Sequence, residues 1–331
     1  MNAQPRRTLW SVVLAGGEGE RTRPFIERWL GCHLPKQYCA FVGTRSMLQH
    51  TWDRADQLGD PDHKLTVMAK NHHRLAWEHL EKQQGGKVLF QPHNRDTAAG
   101  VFLPLAYVRT WNPEATVVVF PSDHFIFPEQ QFVHQVQQAV QATDWLTDRL
   151  ILLGLTPTHV ELEYGWIEPG EILGWCEGSP IKSVKTFLEK PDRNTARKAL
   201  ANGALWNTMV LTGKVETLWR LGWMCFPEIM ARFEQLTTAI GTPREGAVLE
   251  AIYQDMPRQN FSSGLLQRVP DHVGVLELQD VMWSDWGNPD RIIETLHQIG
   301  KTPVFRQDHT VRAQPVGVSE QYSEQQFVEV E

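Results

Sequence analysis

The chain has 331 residues, of which 41% are apolar, and 32 Lys and Arg against 39 Asp and Glu give a formal net charge of −7. These values exclude a disordered or fibrous protein and allow one large domain or two modest ones. A negative chain has no general attraction to nucleic acid or to an anionic membrane, so we expect neither as a partner, and an anionic ligand needs a local basic site.

In the first 155 residues, short apolar runs alternate with amphipathic segments. The predicted strands are Leu9–Leu14, Leu65–Ala69, Lys87–Gln91, Thr116–Phe120 and Leu150–Leu155. The predicted helices are Ser46–Leu58, with Ser46 as N-cap, and Asn71–Gln84, Asp96–Trp111 and Pro128–Thr143. Because some strands are apolar throughout, they must be buried on both faces. The alternation therefore predicts an α/β fold, with a mixed, mostly parallel sheet and flanking helices.

After residue 160 the pattern is less regular. The predicted strands are Tyr164–Glu168, Val184–Lys190, Leu205–Leu211 and Val273–Leu278, and helical segments extend to about Met256 and from Asn288 to Ile299. We therefore predict one catalytic domain over residues 1–300. Residues 301–331 are rich in Gln and Glu without periodicity, which predicts a tail or a docking segment.

Two features bear on the compartment. Four cysteines lie far apart without a metal-binding spacing: Cys32, Cys39, Cys176 and Cys225. No stretch approaches the roughly 18 consecutive apolar residues of a transmembrane helix. The pattern is typical of reduced thiols and predicts a cytoplasmic protein.

A glycine-rich segment, AGGEGER, follows the first strand from Ala15 to Arg21. Glycines allow backbone N–H groups to approach a phosphate closely, and an arginine adds a bidentate donor. The segment is neither a dinucleotide-binding fingerprint nor a P-loop. Taken alone, it fits a tight strand-to-helix turn as well as a phosphate site.

Further motifs follow in order along the chain: PKQY from Pro35, QPHNRDTAAG from Gln91, FPSDH from Phe120, YGWIEPG from Tyr164, FLEKPD from Phe187, LWNTMVL from Leu205 and WSDWGNPDR from Trp283. Together with LAGGEGER they resemble the signature of sugar-nucleotide pyrophosphorylases, above all the mannose-1-phosphate guanylyltransferase branch. The resemblance covers about residues 9 to 292. It implies a Rossmann-like nucleotide-diphospho-sugar transferase fold of the GT-A-like kind.

The resemblance also implies a reaction. A nucleotidyl group, GMP from GTP, is transferred to a sugar 1-phosphate, mannose 1-phosphate, and pyrophosphate is released. The attacking phosphate oxygen is already an anion, so the site needs cations, backbone donors and a metal ion rather than a general base. Asp123 and Asp285 are predicted to hold Mg²⁺. A homo-oligomer is compatible with the sequence, which does not determine the oligomeric state.

The resemblance assigns the remaining site residues to three groups. Arg21 and Lys36 are predicted to hold the triphosphate and neutralise the departing pyrophosphate. The nucleotide is expected to contact Ala15, Gly16, Gly17, Gly19, Gln91 and Thr97. The sugar phosphate is expected to contact Gly165, Glu189, Lys190 and Asn207.

Most of these residues have ordinary structural alternatives. Asp123 is also placed to cap the next helix, Asp285 to form a turn and Asn207 to cap a strand end. An exposed Glu189–Lys190 pair would be inert. His72, His73 and His79 have no zinc-ligand spacing and are predicted to form a solvated helix face.

The sequence departs from the family pattern in three places. Thr22 and Arg23 stand where the family usually has Leu-Trp, and the loop before Lys36 is longer than usual. Asn-Phe-Ser-Ser (260–263) replaces a frequent Asp-Tyr pair. Two other functions therefore stay open: transfer to another sugar 1-phosphate or from another nucleotide, and a non-catalytic regulator that binds a nucleotide-sugar.

Overall fold

A nine-stranded sheet forms the centre of the protein in the computed structural model, which describes residues 8–74, 79 and 85–305. The strands are β1 (Leu9–Ala15), β2 (Lys64–Ala69), β3 (Lys87–Gln91), β4 (Thr116–Pro121), β5 (Phe125–Phe127), β6 (Leu150–Leu155), β7 (Gly165–Cys176), β8 (Ser179–Glu189), β9 (Leu205–Lys214), β10 (Val273–Leu278) and β11 (Met282–Ser284). The helices are α1 (Arg23–Leu30), α2 (Met47–Asp56), α3 (Asp96–Trp111), α4 (Glu129–Ala142), α5 (Arg193–Ala201), α6 (Val215–Cys225), α7 (Pro227–Thr237), α8 (Glu245–Gln254) and α9 (Pro289–Gln298).

The strand order is β3-β2-β1-β4-β9-β6-β10-β8-β7. β1 to β4 pair in parallel, β9 is inserted antiparallel between β4 and β6, and β6 and β10 are again parallel. β8 is antiparallel to both β10 and β7, so seven of the nine strands run in one direction, which confirms the predicted α/β fold with a mixed, mostly parallel sheet. β5 and β11 form a separate two-stranded ribbon.

Helices cover both faces of the sheet. Along β4, Val117 and Val119 pack with α3, α6 and α7, whereas Val118 and Phe120 pack with α2 and α4. Successive strand residues point to opposite faces, so a strand between two helical layers must be apolar throughout. This is the burial that the sequence predicts for Thr116–Phe120.

Most predicted strands and helices have bounds close to those in the structure. The strands Lys87–Gln91, Leu150–Leu155 and Val273–Leu278 and the helix Asp96–Trp111 have the predicted bounds. Ser46 caps α2 in a capping box, in which its hydroxyl accepts from the Gln49 backbone N–H at 3.2 Å and its own N–H donates to Gln49 Oε1 at 3.0 Å.

The hairpin of β7 and β8 is longer than predicted. The sequence predicts strands over Tyr164–Glu168 and Val184–Lys190, whereas β7 extends to Cys176 and β8 begins at Ser179. Register shifts interrupt the ladder between Glu168 and Gly174. Irregular pairing of this kind removes the alternation by which a strand is recognised in a sequence.

Two predictions fall partly outside the described residues. Of the predicted helix Asn71–Gln84, residues 75–78 and 80–84 are not described, and neither are residues 306–331 of the predicted tail. Phe305, at the start of that tail, is buried, and its ring lies edge-on 4.9 Å from Phe25 of α1. Among the described residues, no helix is both long enough and apolar enough to span a bilayer.

Candidate active site

The glycine-rich loop after β1 is held by the segment that carries Lys36. Gln37 Nε2 donates to the carbonyls of Ala15, at 3.0 Å, and Gly17, at 2.8 Å. Gly19 has a φ of +64°, and a Cβ added there would lie 3.1 Å from the backbone nitrogen of Lys36. Glycine is therefore needed at position 19 both for the backbone conformation and for the close approach of Lys36.

Thr22 and Arg23, which depart from the family pattern, lie at the end of this loop. Thr22 is buried, and its hydroxyl donates to the Gly19 carbonyl at 3.0 Å. Arg23 begins α1 and forms an exposed ion pair with Glu27 at 2.8 Å. The two residues therefore stabilise the turn and the first helical turn without occupying the site.

The Lys36 ammonium lies at the centre of the site. Its Nζ is 2.9 Å from Asp123 Oδ2 and also donates to the backbone carbonyl of Asp285. The residue is only 3% exposed, so Lys36 is not a solvated surface lysine. It joins the end of the glycine-rich loop to both predicted metal ligands.

Asp123 follows β4 and does not cap a helix. The chain enters β5 directly, and α4 begins six residues later at Glu129, so the helix-cap alternative for Asp123 is wrong. Burial raises the pKa of Asp123, but Lys36 and His124 lower it more, and the pKa stays below its ordinary value. Asp123 is therefore an anion at neutral pH, and its side chain remains 36% exposed.

Four donors hold the Asp285 carboxylate. Arg21 donates to Oδ2 at 2.8 Å, and Oδ1 accepts from Arg291 at 2.7 Å, from the Tyr164 hydroxyl at 2.8 Å and from the Gly287 N–H at 2.9 Å. Burial raises the pKa of Asp285, but Lys36, Arg291 and Arg21 lower it well below its usual range. The Gly287 contact is the turn predicted for this residue, and it coexists with the charged contacts.

The predicted sugar-side residues lie together. A Cβ added to Gly165 would lie 3.1 Å from Glu189 Oε2 and 3.2 Å from Asn207 Cβ. Lys190 follows Glu189 with a φ of +44°, and its N–H donates to the Tyr164 carbonyl at 3.2 Å. Burial raises the pKa of Glu189, an effect that Lys190 partly offsets. Glu189 is half-buried and Lys190 is exposed, and their contact with a sugar phosphate stays a prediction.

On the nucleotide side, Gln91 lies between the glycine-rich loop and α3. A Cβ on Gly16 would lie 3.5 Å from Gln91 Oε1, and one on Gly100 would lie 3.3 Å from Gln91 Nε2. The Thr97 hydroxyl accepts from the Phe261 N–H at 2.8 Å. Thr97 thus holds the Asn-Phe-Ser-Ser segment, and its contact with a base stays a prediction.

The two aspartates have the residue chemistry to hold a magnesium ion together with a phosphate group. Among the described residues, no three His, Cys, Asp or Glu side chains are grouped so that they could hold a metal ion by themselves. Mg²⁺ usually takes one or two carboxylates and completes its shell with water and phosphate oxygens. Lys36 contacts the Asp123 carboxylate and the Asp285 backbone carbonyl, so the two residues lie in one group, and their role as Mg²⁺ ligands stays a prediction.

Sequence reasoning missed three residues of the site. Tyr164 and Arg291 bind Asp285, and Arg291 also pairs with Glu161. Tyr164 begins the YGWIEPG motif and Arg291 ends WSDWGNPDR, so the signal was their place in the motifs. Glu161 lies outside every motif and had no such signal.

The prediction of a solvated face for His72 is wrong. His72 is 1% exposed, and its Nε2 lies 3.2 Å from Glu18 Oε1. The reason is that it belongs to a short turn, Lys70–His72, after β2 and not to a regular surface helix. His73 is exposed, as predicted.

A glycine-rich loop, two aspartates and three cations around one sheet edge are typical of a nucleotidyltransferase. Comparison with known proteins agrees: residues 10–302 match the family described as nucleotidyl transferase, and the chain belongs to that family.

Within this family, the chain is similar to mannose-1-phosphate guanylyltransferases. A protein of that name from Escherichia coli is 24% identical over 286 residues, which cover 84% of this chain and 60% of that protein. Another from Salmonella montevideo is 31% identical over 202 residues, or 60% of this chain and 41% of that protein. The chain thus spans about 60% of the length of the E. coli protein.

Solved structures agree with these matches. A Thermus thermophilus protein described as mannose-1-phosphate geranyltransferase superposes with a TM-score of 0.74 at 25% identity, covering 86% of this chain and 79% of that one. A putative glucose-1-phosphate thymidylyltransferase from Bacillus anthracis, at a TM-score of 0.57 and 13% identity over 88% of this chain and 95% of that one, shares the fold. The resemblance to sugar-nucleotide pyrophosphorylases is thereby confirmed.

Proposed function

We propose that this site transfers GMP from GTP to mannose 1-phosphate and releases pyrophosphate. The observation that carries the proposal is the contact of Lys36 with both Asp123 and Asp285 beside the glycine-rich loop. Two substrate anions must be brought together here, and cations with a carboxylate-bound metal lower that barrier. The names of the similar proteins support GTP and mannose 1-phosphate as the substrates.

In this reaction, an oxygen of the sugar phosphate forms a bond to the α-phosphorus, and the bond from that phosphorus to the pyrophosphate oxygen breaks. No proton is removed from the attacking oxygen, because it is already ionised. Arg21 and Lys36 stabilise the negative charge that develops on the leaving pyrophosphate. Lys190 binds the sugar phosphate, and Glu189 and Asn207 orient the sugar hydroxyls.

Asp123 and Asp285 would hold Mg²⁺, which neutralises phosphate charge when it is bound. This chain prepares Asp285 for that role, since Arg291, Tyr164 and Gly287 all bind its Oδ1. Arg21 binds Oδ2. The carboxylate therefore stays ionised and fixed before a substrate arrives.

The substrates can be tested with one panel. Pyrophosphate release is measured with four nucleoside triphosphates, each combined with several sugar 1-phosphates, and GTP with mannose 1-phosphate is expected to give the highest kcat/KM. A site that hydrogen-bonds a base can reject the wrong base by several orders of magnitude. A higher value for another pair would change the substrates but keep the chemistry. Release with no pair, together with binding of a nucleotide-sugar, would indicate a regulator instead.

Lys190→Ala is expected to raise the KM for the sugar 1-phosphate by about 10- to 100-fold, because a charge-assisted contact to that substrate is lost. The KM for the triphosphate should change little. Lys185→Ala is the matched control, since Lys185 is exposed on β8, the strand that Lys190 directly follows. Equal increases in both KM values would show that Lys190 does not bind the sugar phosphate.

A further inference from the structure

A buried histidine connects the glycine-rich loop to the turn that carries Lys36. His72 Nε2 lies 3.2 Å from Glu18 Oε1, and Glu18 belongs to the loop. On the other side of the ring, His72 Nδ1 is 3.4 Å from the hydroxyl of Tyr38. Tyr38 is two residues from Lys36 and in the same short turn, Lys36–Tyr38. The contacts thus run from the loop, through His72, to the Lys36 turn.

One more hydrogen bond holds Glu18 in this place. Asn71 Nδ2 donates to Glu18 Oε1 at 3.1 Å, whereas His33 Nε2 lies 4.0 Å from Glu18 Oε2 and forms no hydrogen bond with it. His33 comes from the loop before Lys36 that is longer than usual. Burial raises the pKa of Glu18, but Asn71 and His72 lower it more, so the side chain is an anion at neutral pH. Glu18 therefore joins the glycine-rich loop to the Lys70–His72 turn.

Burying these polar side chains costs more free energy than burying apolar side chains of the same size would. His72 and Tyr38 are 1% and 3% exposed, and a buried polar side chain loses its bonds to water. The contacts with Glu18 and Tyr38 offset part of that loss, although the approach of His72 Nε2 to Glu18 does not have the geometry of a hydrogen bond. Here the contacts fix the distance between the glycine-rich loop and Lys36, which pack closely at Gly19.

We propose that Glu18, His72 and Tyr38 are positioning residues that keep the glycine-rich loop in register with Lys36 and so determine the affinity for the nucleoside triphosphate. The role rests on the proposed function, because both the loop and Lys36 bind the triphosphate in it. The sugar-side residues Gly165, Glu189 and Asn207 lie on β7, β8 and β9, away from the glycine-rich loop and the Lys36 turn in the chain. Binding of the sugar 1-phosphate should therefore not depend on these contacts.

His72→Ala and Glu18→Ala are each expected to raise the KM for the triphosphate about tenfold, the effect of one lost polar contact, and to leave the KM for the sugar 1-phosphate unchanged. Glutamine can keep an N–H near the position of Nε2, so His72→Gln should recover much of the affinity. Asparagine keeps one nearer Nδ1, so His72→Asn should not. His73→Ala is the matched control, because His73 is the exposed neighbour.

A second measurement does not need the reaction. Amide hydrogen exchange of residues 16–19 should be faster in Glu18→Ala and His72→Ala than in the wild-type protein, at a temperature well below each Tm. The double variant should exchange no faster than the single ones, because the residues act through one contact. If the wild-type protein transfers no nucleotide, the proposed function fails and this measurement still tests the positioning role.

Three results would overturn the inference: unchanged exchange at residues 16–19, equal increases in both KM values, or a double variant whose effects add. If His72→Ala fails to fold, His72→Asn replaces it, since asparagine is not expected to restore the contact with Glu18; if Glu18→Ala fails to fold, Glu18→Gln replaces it, since glutamine keeps the side-chain volume without the charge. An increase in the triphosphate KM that is larger for His72→Gln than for His72→Asn would also contradict the proposed contact with Glu18.

Discussion

Asp285→Asn is expected to reduce kcat about a thousandfold while the protein stays folded. Asparagine keeps an oxygen for Tyr164 and Gly287 but removes the charge that a magnesium ion needs. Charge neutralisation by a metal is worth several kcal/mol, and each 1.36 kcal/mol corresponds to a tenfold change in rate. Asp123→Asn should cause a similar loss. The double variant should be little worse than either, because residues that act as a unit fail together.

The measurement is kcat over a range of Mg²⁺ concentrations, with a thermal melt of each variant. Asp290→Asn is the matched control, since Asp290 is an exposed aspartate in the same WSDWGNPDR motif. Partial recovery at high Mg²⁺ would support a role in binding the ion. Near-normal activity of one variant at low Mg²⁺ would remove that aspartate from the site, and a loss that follows unfolding would assign it a structural role.

Lys36→Met is expected to lower kcat by about 100- to 1000-fold, the usual cost of removing one group that stabilises a transition-state charge. Methionine keeps most of the apolar stem, so the change chiefly removes the ammonium that contacts Asp123 and Asp285. The loss should appear in kcat more than in the KM for the sugar 1-phosphate, because the charge on the leaving pyrophosphate increases in the transition state.

Lys198→Met, in the exposed part of α5, is the matched control for charge and side-chain size. Single-turnover measurements separate the chemical step from product release. If Lys36→Met kept a normal rate for that step, Lys36 would not stabilise the leaving group. Its contacts with the two aspartates would then be structural.

Site residues that lie in a sequence motif could be predicted, whereas an isolated residue such as His72 could not. Arg21, Lys36, Asp123 and Asp285 stand in motifs, and the structure brings all four into one group. The positions of Glu189 and Asn207 beside Gly165 followed in the same way. His72 was misjudged, because a single buried histidine in a short turn has no periodic pattern.

The amino-acid sequence by itself determined the strands of the parallel core and most of the candidate site residues, since apolar periodicity and motifs are properties of neighbouring residues. Only the tertiary structure decided that Arg291 and Tyr164 hold Asp285, and that His72 joins Glu18 to Tyr38. These contacts join distant segments. They depend on how the ribbon of β5 and β11 and the loops pack against the sheet. This packing cannot be predicted from a local pattern of residues.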